Sequence, residues 1–256
     1  MTQTAVSRAA LYINSRSRDS GYHVEMTSVM PAAQNAYRLI LAGGGGAEDS
    51  RLADAQFARW TGSGRMVYIP LALEPGAYAT GCNWLQSVFR PLGVRQFSML
   101  RDAADVAALD LADIGGIYIG GGNTYVLLDL VRRFNLHTFI QRAAARGVPI
   151  YGGSAGALLM TPDIGNCAYF DPNDIGLRDL RALALTAFDV WVHYEPAAHS
   201  AHLAAAARQS GRVTIGIPER AALCVQGDAV TVLGTAPCLR MQPDGSVEPM
   251  QPETAS

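Results

Sequence analysis

The stretch Gly152-Gly153-Ser154-Ala155-Gly156 sets a serine among small residues, between the apolar run "VPIYGG" and the apolar helical run "AGALLM". Its pattern is G-x-S-x-G. A serine on a sharp strand-to-helix corner can attack a carbonyl, because small neighbours relieve the crowding of a strained backbone and leave the hydroxyl free. The helix that follows turns its amide groups and its positive end toward an anion formed there. Taken alone, the pentapeptide also fits a flexible Gly/Ser/Ala turn, so the context matters. A second cluster, Gly120-Gly121-Gly122-Asn123-Thr124, likewise ends an apolar run and opens a helix. Its spacing fits neither the P-loop nor the dinucleotide fingerprint. An oxyanion hole needs two backbone donors aimed at one point. Ala155, after the candidate nucleophile, supplies one, and Gly122 is the candidate for the other. A tight turn is the alternative reading of that cluster.

A serine at neutral pH needs a base. The histidines are His23, His137, His193, His199 and His202. His193 follows "FDVWV" at an expected strand end, on the same sheet edge as Ser154, and is the candidate base. Its alternative is a satisfied, half-buried imidazole. His137 is expected to point outward from a helix. His199 and His202, three apart at a helix start, read as a solvated face. The base needs an orienting carboxylate. Glu219, directly after "VTIGIP", is the candidate; Asp171, Asp174 and Glu195 are rivals that position alone leaves open.

These residues must be positioned by alternating elements. "YRLILAGGGG", "RMVYIPLA", "VRQFSML", "IGGIYIGGGN" and "VPIYGG" read as strands. Helices are expected over "DSRLADAQFARWTG", with Leu52, Ala55, Phe57 and Trp60, and over "GAYATGCNWLQSVFRPLG", with Trp84, Leu85, Val88 and Phe89 on one face. Two more, "TYVLLDLVRRF" and "LHTFIQRAAARG", part near Asn135. The predicted fold is α/β, a mostly parallel sheet covered by helices on both faces. "AFDVWVHYEP" reads as a strand and loop, and "AHSAHLAAAARQSG" as a helix. "VTIGIPE", "AALCVQG", "DAVTVLG" and "CLRMQPDG" suggest a small antiparallel C-terminal extension. Residues 1–36 read as a loose N-terminal extension, and 37–256 as a single α/β domain.

Composition narrows the function. Of 256 residues, 49% are hydrophobic and 16% charged, with net charge −2, which gives no footprint for nucleic acid or a membrane surface. Cys82, Cys167, Cys224 and Cys238 lack zinc spacing, so no metal is expected, and reduced thiols suit a cytoplasmic protein. Attack by a serine activated by a histidine requires no organic cofactor either. A competing reading is a nucleotide-binding α/β module that uses residues 43–46 and 120–122.

The segments "GGGNTYVLL", "GGSAGALLM", "WVHYEP" and "IGIPER" resemble, in order, the signatures of the peptidase E group of serine peptidases, which includes aspartyl dipeptidases and, more distantly, cyanophycinase. The resemblance runs from about Tyr37 to Gly234. It implies a flavodoxin-like, class I glutamine amidotransferase-like fold and a Ser-His-Glu triad of Ser154, His193 and Glu219. Gly122 and Ala155 match the oxyanion-hole donors. Asp171 matches an aspartate kept near the site, and with Asn123 and Thr124 it is a candidate for binding substrate. Thr124 stands where cyanophycinases tend to carry glutamine, which favours the dipeptidase branch. Two departures bear on specificity. Val192 precedes His193 where aspartyl dipeptidases usually have proline, and no arginine follows His193 before Arg208. Recognising a carboxylate without a cation is costly, so aspartate specificity is not implied. The expected activity is hydrolysis of a dipeptide, short peptide or related amide by a monomer or homodimer. A cyanophycinase-like protein or a catalytically silent binding protein of the same fold are alternatives.

Overall fold

Alternate residues of β1 (Arg38–Ala42) serve two cores. Leu39 and Leu41 pack on one side of the sheet, Ile40 and Ala42 on the other. A strand buried on both faces is what a central parallel position requires. The computed structural model describes residues 37–253. The extension expected over 1–36 lies outside the described residues.

Four further strands run parallel to β1: β2 (Arg65–Ile69), β3 (Phe97–Met99), β4 (Ile114–Ile119) and β5 (Ile150–Gly153). β8 (Ala221–Gln226) adds to β1 antiparallel, and β9 (Ala229–Gly234) adds to β8 antiparallel. The order is β3-β2-β4-β5-β1-β8-β9. Helices α1 (Ala47–Thr61) and α2 (Tyr78–Phe89) pack on one face. On the other lie α3 (Ala103–Ala107), α4 (Thr124–Arg133), α5 (Leu136–Ala145) and α6 (Ala155–Leu159). Asn135 separates α4 from α5 in a left-handed conformation, φ 57°.

The C-terminal third is only in part the antiparallel extension expected. β6 (Asp189–Trp191) and β7 (Thr214–Gly216) pair parallel, joined by the crossover helix α7 (Pro196–Ser210). With β10 (Cys238–Met241) and β11 (Val247–Met250) they form a second sheet, order β11-β10-β7-β6. Thus "VTIGIPE" does not pair with "AALCVQG". Pro218 cannot donate to a ladder, and the chain turns there, with the Ala221 amide donating to the Pro218 carbonyl. The next strand is delivered to β1 instead.

Two helix faces also differ from expectation. On α2, Cys82, Leu85 and Phe89 are buried, but Trp84 remains 40% exposed. On α1 the buried stripe is Ala53, Asp54, Phe57, Ala58 and Thr61, at helical i, i+4, i+8 spacing. It includes a carboxyl group. Asp54 is 2% exposed and accepts a hydrogen bond from Ser50 Oγ at 2.7 Å.

Burial pushes the Asp54 carboxyl from an ordinary 3.8 up to about 6, opposed by hydrogen bonds from Ser50 and Tyr151. The folded state therefore holds this proton more tightly than the unfolded chain does. Stability falls as pH rises from about 4 to about 6, by roughly 3 kcal/mol from this group. Asp54→Asn should remove that loss. In urea titrations the variant should exceed the wild type by about 2–3 kcal/mol at pH 8 and differ little at pH 4. An equal difference at both pH values would disprove the assignment.

Candidate active site

Ser154 sits between β5 and α6 with φ 51° and ψ −110°, outside the conformations that ordinary L residues favour. Three hydrogen bonds hold it there. Its amide donates to the Ala42 carbonyl at 3.1 Å, and its carbonyl accepts from Ala157 and Leu158. The flanking glycines permit close approach. A Cβ on Gly152 would lie 2.4 Å from the Gly156 carbonyl, and one on Gly156 would lie 2.3 Å from the Ile119 oxygen. The small residues thus let α6 start directly against the sheet, and they are not flexible filler.

His193 stands two residues beyond β6, also at positive φ, 49°. Its Nε2 is 2.8 Å from Ser154 Oγ, and its Nδ1 is 2.9 Å from Glu219 Oε1. A carboxylate on Nδ1 holds the proton there and leaves Nε2 free to accept from the serine hydroxyl. Glu219 lies in the turn between β7 and β8, just past Pro218. The Phe170 ring lies beside the imidazole, 5.9 Å between ring centres.

The end of β1 ties these segments together. Ala42 accepts from the Ser154 amide, Gly43 accepts from the His193 amide at 2.8 Å, and the Gly43 amide donates to Ala221 at 3.1 Å. A Cβ on Gly44, where φ is 123°, would lie 2.1 Å from His193 Cε1. Residues 43 and 44 are therefore the seat of the imidazole.

The other candidates occupy different places. Gly121 lies against Ser154, and a Cβ there would stand 3.3 Å from the serine Cβ. Among the described residues the Gly121 and Gly122 amides find no backbone acceptor. Ala155 opens α6, so its amide has no acceptor within the helix. Asn123, Thr124 and Asp171 are not in the cavity that holds Ser154. Asp171 Oδ2 accepts from the Thr124 amide at 2.9 Å and from its hydroxyl at 2.5 Å, while Asn123 caps α4 and donates to the Pro172 carbonyl. The three bind the 170–173 loop to the start of α4. Asp174 and Glu195 are exposed and make no hydrogen bond to His193. His199 corrects the solvated-face reading. It is buried against Trp191, and its Nδ1 accepts from the Glu195 amide at 2.9 Å. His202 is exposed and stacks on Trp191. His137 is half-buried.

Ser154 and His193 open into a cavity of about 560 Å³, lined mainly by uncharged residues, among them Tyr68, Leu73, Trp84, Tyr118 and Tyr151. Its floor was missed in the sequence. Tyr68 pairs in register with Tyr118, and Tyr118 with Tyr151, across three adjacent strands. The latter rings stack at 4.6 Å. The available signal was Tyr-Ile-Pro, Tyr-Ile-Gly and Tyr-Gly-Gly at three successive strand ends. Burial pushes the Tyr68 phenol up to about 12 and those of Tyr118 and Tyr151 well above 10, so all three stay protonated. A larger cavity of about 650 Å³, bounded by α7, β6 and the 163–169 segment, contains none of Ser154, His193 or Glu219. Among the described residues, no group of three or more His, Cys, Asp or Glu is placed to hold a metal, and no helix is long and apolar enough to cross a membrane.

The model of Peptidase family S51 matches residues 39–233. A probable alpha-aspartyl dipeptidase of Drosophila melanogaster is 30% identical over 155 residues, 56% of this chain and 62% of that protein. Peptidase E of Shewanella baltica (strain OS195) is 32% identical over 139 residues, 50% of this chain and 56% of that protein. The chain thus spans less than two thirds of the length of these curated relatives. The crystal structure of a peptidase from an acI-B1 actinobacterium shares the fold, with TM-score 0.67 at 18% identity over 87% of this chain and 97% of the other. The family match covers all three residues of the hydrogen-bonded chain, from the serine corner to the glutamate turn, and on that match the protein belongs to peptidase family S51.

Proposed function

We propose that the chain is a serine-type peptidase that hydrolyses a dipeptide or short peptide through an acyl-enzyme on Ser154. The observation that carries this reading is the unbroken sequence Ser154 Oγ, His193 Nε2, His193 Nδ1, Glu219 Oε1, with contacts of 2.8 and 2.9 Å. His193 takes the Ser154 proton as Oγ attacks the scissile carbonyl carbon. Glu219 holds the ring and stabilises the imidazolium. The Ala155 amide, with that of Gly122 or its neighbour Gly121, receives the oxyanion. The proton then passes from His193 to the leaving amine, the C–N bond breaks, and water activated by the same imidazole releases the acyl group. Backbone donors and the imidazole supply the charge stabilisation, so no metal or organic cofactor is needed.

Five parallel strands with the serine at their C-terminal edge support a flavodoxin-like, class I glutamine amidotransferase-like reading of the fold. Four buried free cysteines favour a reducing, cytoplasmic setting without disulfides.

Ser154→Ala should lower kcat by about 10⁴- to 10⁶-fold without changing the urea midpoint. A variant retaining a tenth of the wild-type rate would refute the nucleophile. Glu219→Gln should lower kcat by about 10²- to 10⁴-fold, by losing the charge that stabilises the imidazolium. Asp171→Asn should instead weaken the attachment of α4, costing about 1 kcal/mol of stability, with the smaller effect on kcat. Reversed kinetic phenotypes would exchange the two roles. Gly44→Ala drives a methyl group into the imidazole, so kcat should fall about 10²-fold or more through misplacement of His193. Full activity of that variant would show that the ring is seated elsewhere.

A further inference from the structure

The walls of the Ser154 cavity bear on which peptides enter it. Tyr68, Tyr118 and Tyr151 present a contiguous aromatic floor, Leu73 and Ala77 continue it, and Trp84 stands 40% exposed at the edge. A volume of about 560 Å³ suits a small-molecule site and leaves ample room for a large side chain. An exposed indole beside buried rings is costly surface in the empty state and gains contact when an apolar group covers it.

Charge is distributed against an acidic substrate. Among the described residues, no arginine lines the cavity. The chain contains no lysine at all, so no flexible ammonium can reach in from elsewhere. Glu219 stands behind the cavity-lining His193 at 2.9 Å, and a further carboxyl, Asp54, is bonded to the cavity-lining Ser50 at 2.7 Å. Once ionised, it repels a second carboxylate. A cationic side chain fares little better, because Asp54 is 2% exposed and stands behind Ser50 and Tyr151 without lining the cavity itself. A lysine or arginine head would lose its hydration without a direct partner.

We propose that the cavity selects a substrate residue with a large, uncharged apolar side chain, such as phenylalanine or leucine, beside the scissile bond, and that it rejects aspartate. The inference rests on Ser154 being the nucleophile. It makes Trp84 and the tyrosine floor determinants of specificity and gives them no part in the chemical step.

The test separates the two claims. A small alkyl fluorophosphonate reads the nucleophile alone. Diphenyl phosphonate analogues of phenylalanine, leucine, alanine, aspartate and lysine read the cavity, each followed by intact mass on the full chain with Ser154→Ala as the control. The phenylalanine and leucine analogues should modify Ser154 at least about tenfold faster than the aspartate and lysine analogues, the discrimination expected of an apolar pocket against a charged group. Trp84→Ala should reduce the phenylalanine-to-alanine rate ratio about tenfold. Aspartate or lysine labelling as fast as phenylalanine would overturn the inference and leave the nucleophile standing. So would fluorophosphonate labelling with no side-chain preference, or with no labelling by any of the five analogues. Failure of the fluorophosphonate itself would overturn the serine peptidase reading.

Discussion

The site depends on the close approach of two glycines to two loops. At Gly43 the β1 backbone passes so near the 217–218 turn that a Cβ would lie 2.2 Å from the Pro218 oxygen, and at Gly44 it passes directly beneath the His193 ring. This contact lets one strand end bind all three segments. Ala42 holds the serine corner, Gly43 holds the histidine loop, and the Gly43 amide reaches the start of β8, two residues after Glu219. Backbone hydrogen bonds are short and directional, so segments fixed to consecutive residues of one strand inherit that strand's precision. The exposed Glu219 side chain gains its geometry in this way.

Strain is concentrated at the same place. Ser154 and His193 both have positive φ, which costs non-glycine residues of order 1–3 kcal/mol each. The surrounding bonds over-determine both. Ser154 is held from β1 and from α6; His193 is held from β1, while the next residue, Tyr194, donates to Ile217 at 3.0 Å. Phe170 closes one side of the imidazole, and its neighbour Asp171 is anchored to the first residue of α4 by two hydrogen bonds. The α4 terminus, the 170–173 loop and the histidine therefore form one buttress. Asp171 can influence the imidazole through position while touching none of the reacting atoms.

The tyrosine floor belongs both to the cavity and to the core. Tyr68, Tyr118 and Tyr151 pack with Phe57, Phe89 and Leu85 under α1 and α2. Their other edges line the space beside Ser154. A pocket cut into a close-packed aromatic cluster has rigid walls, since shifting one ring disturbs several neighbours. It also joins stability to recognition. Asp54, buried in this cluster, carries a pH-dependent cost a few ångströms behind the wall, which favours keeping further negative charge away.

By itself, the amino-acid sequence determined the alternation of strands and helices and the serine corner. These follow from local signals, such as apolar runs buried on both faces, glycines at strand ends and a helix immediately after Ser154. It also placed Ser154, His193 and Glu219 at one edge of the sheet. Other features had no local signal. Position made Glu219 the candidate but left Asp171, Asp174 and Glu195 as open rivals, and a distance of 2.9 Å to Nδ1 distinguishes Glu219. Trp84 read as part of the apolar face of its helix, yet it is 40% exposed, because helical spacing records a face but not whether a neighbour covers it. His199 read as solvated because the aromatic cluster that buries it comes from β6 and the 165–170 segment. The C-terminal strands read as one sheet, yet Pro218 divides them between two. The tertiary structure decided these matters because each depends on strand register and on backbone approaches between residues far apart in the chain, where a single methyl group on Gly43 or Gly44 would forbid the arrangement.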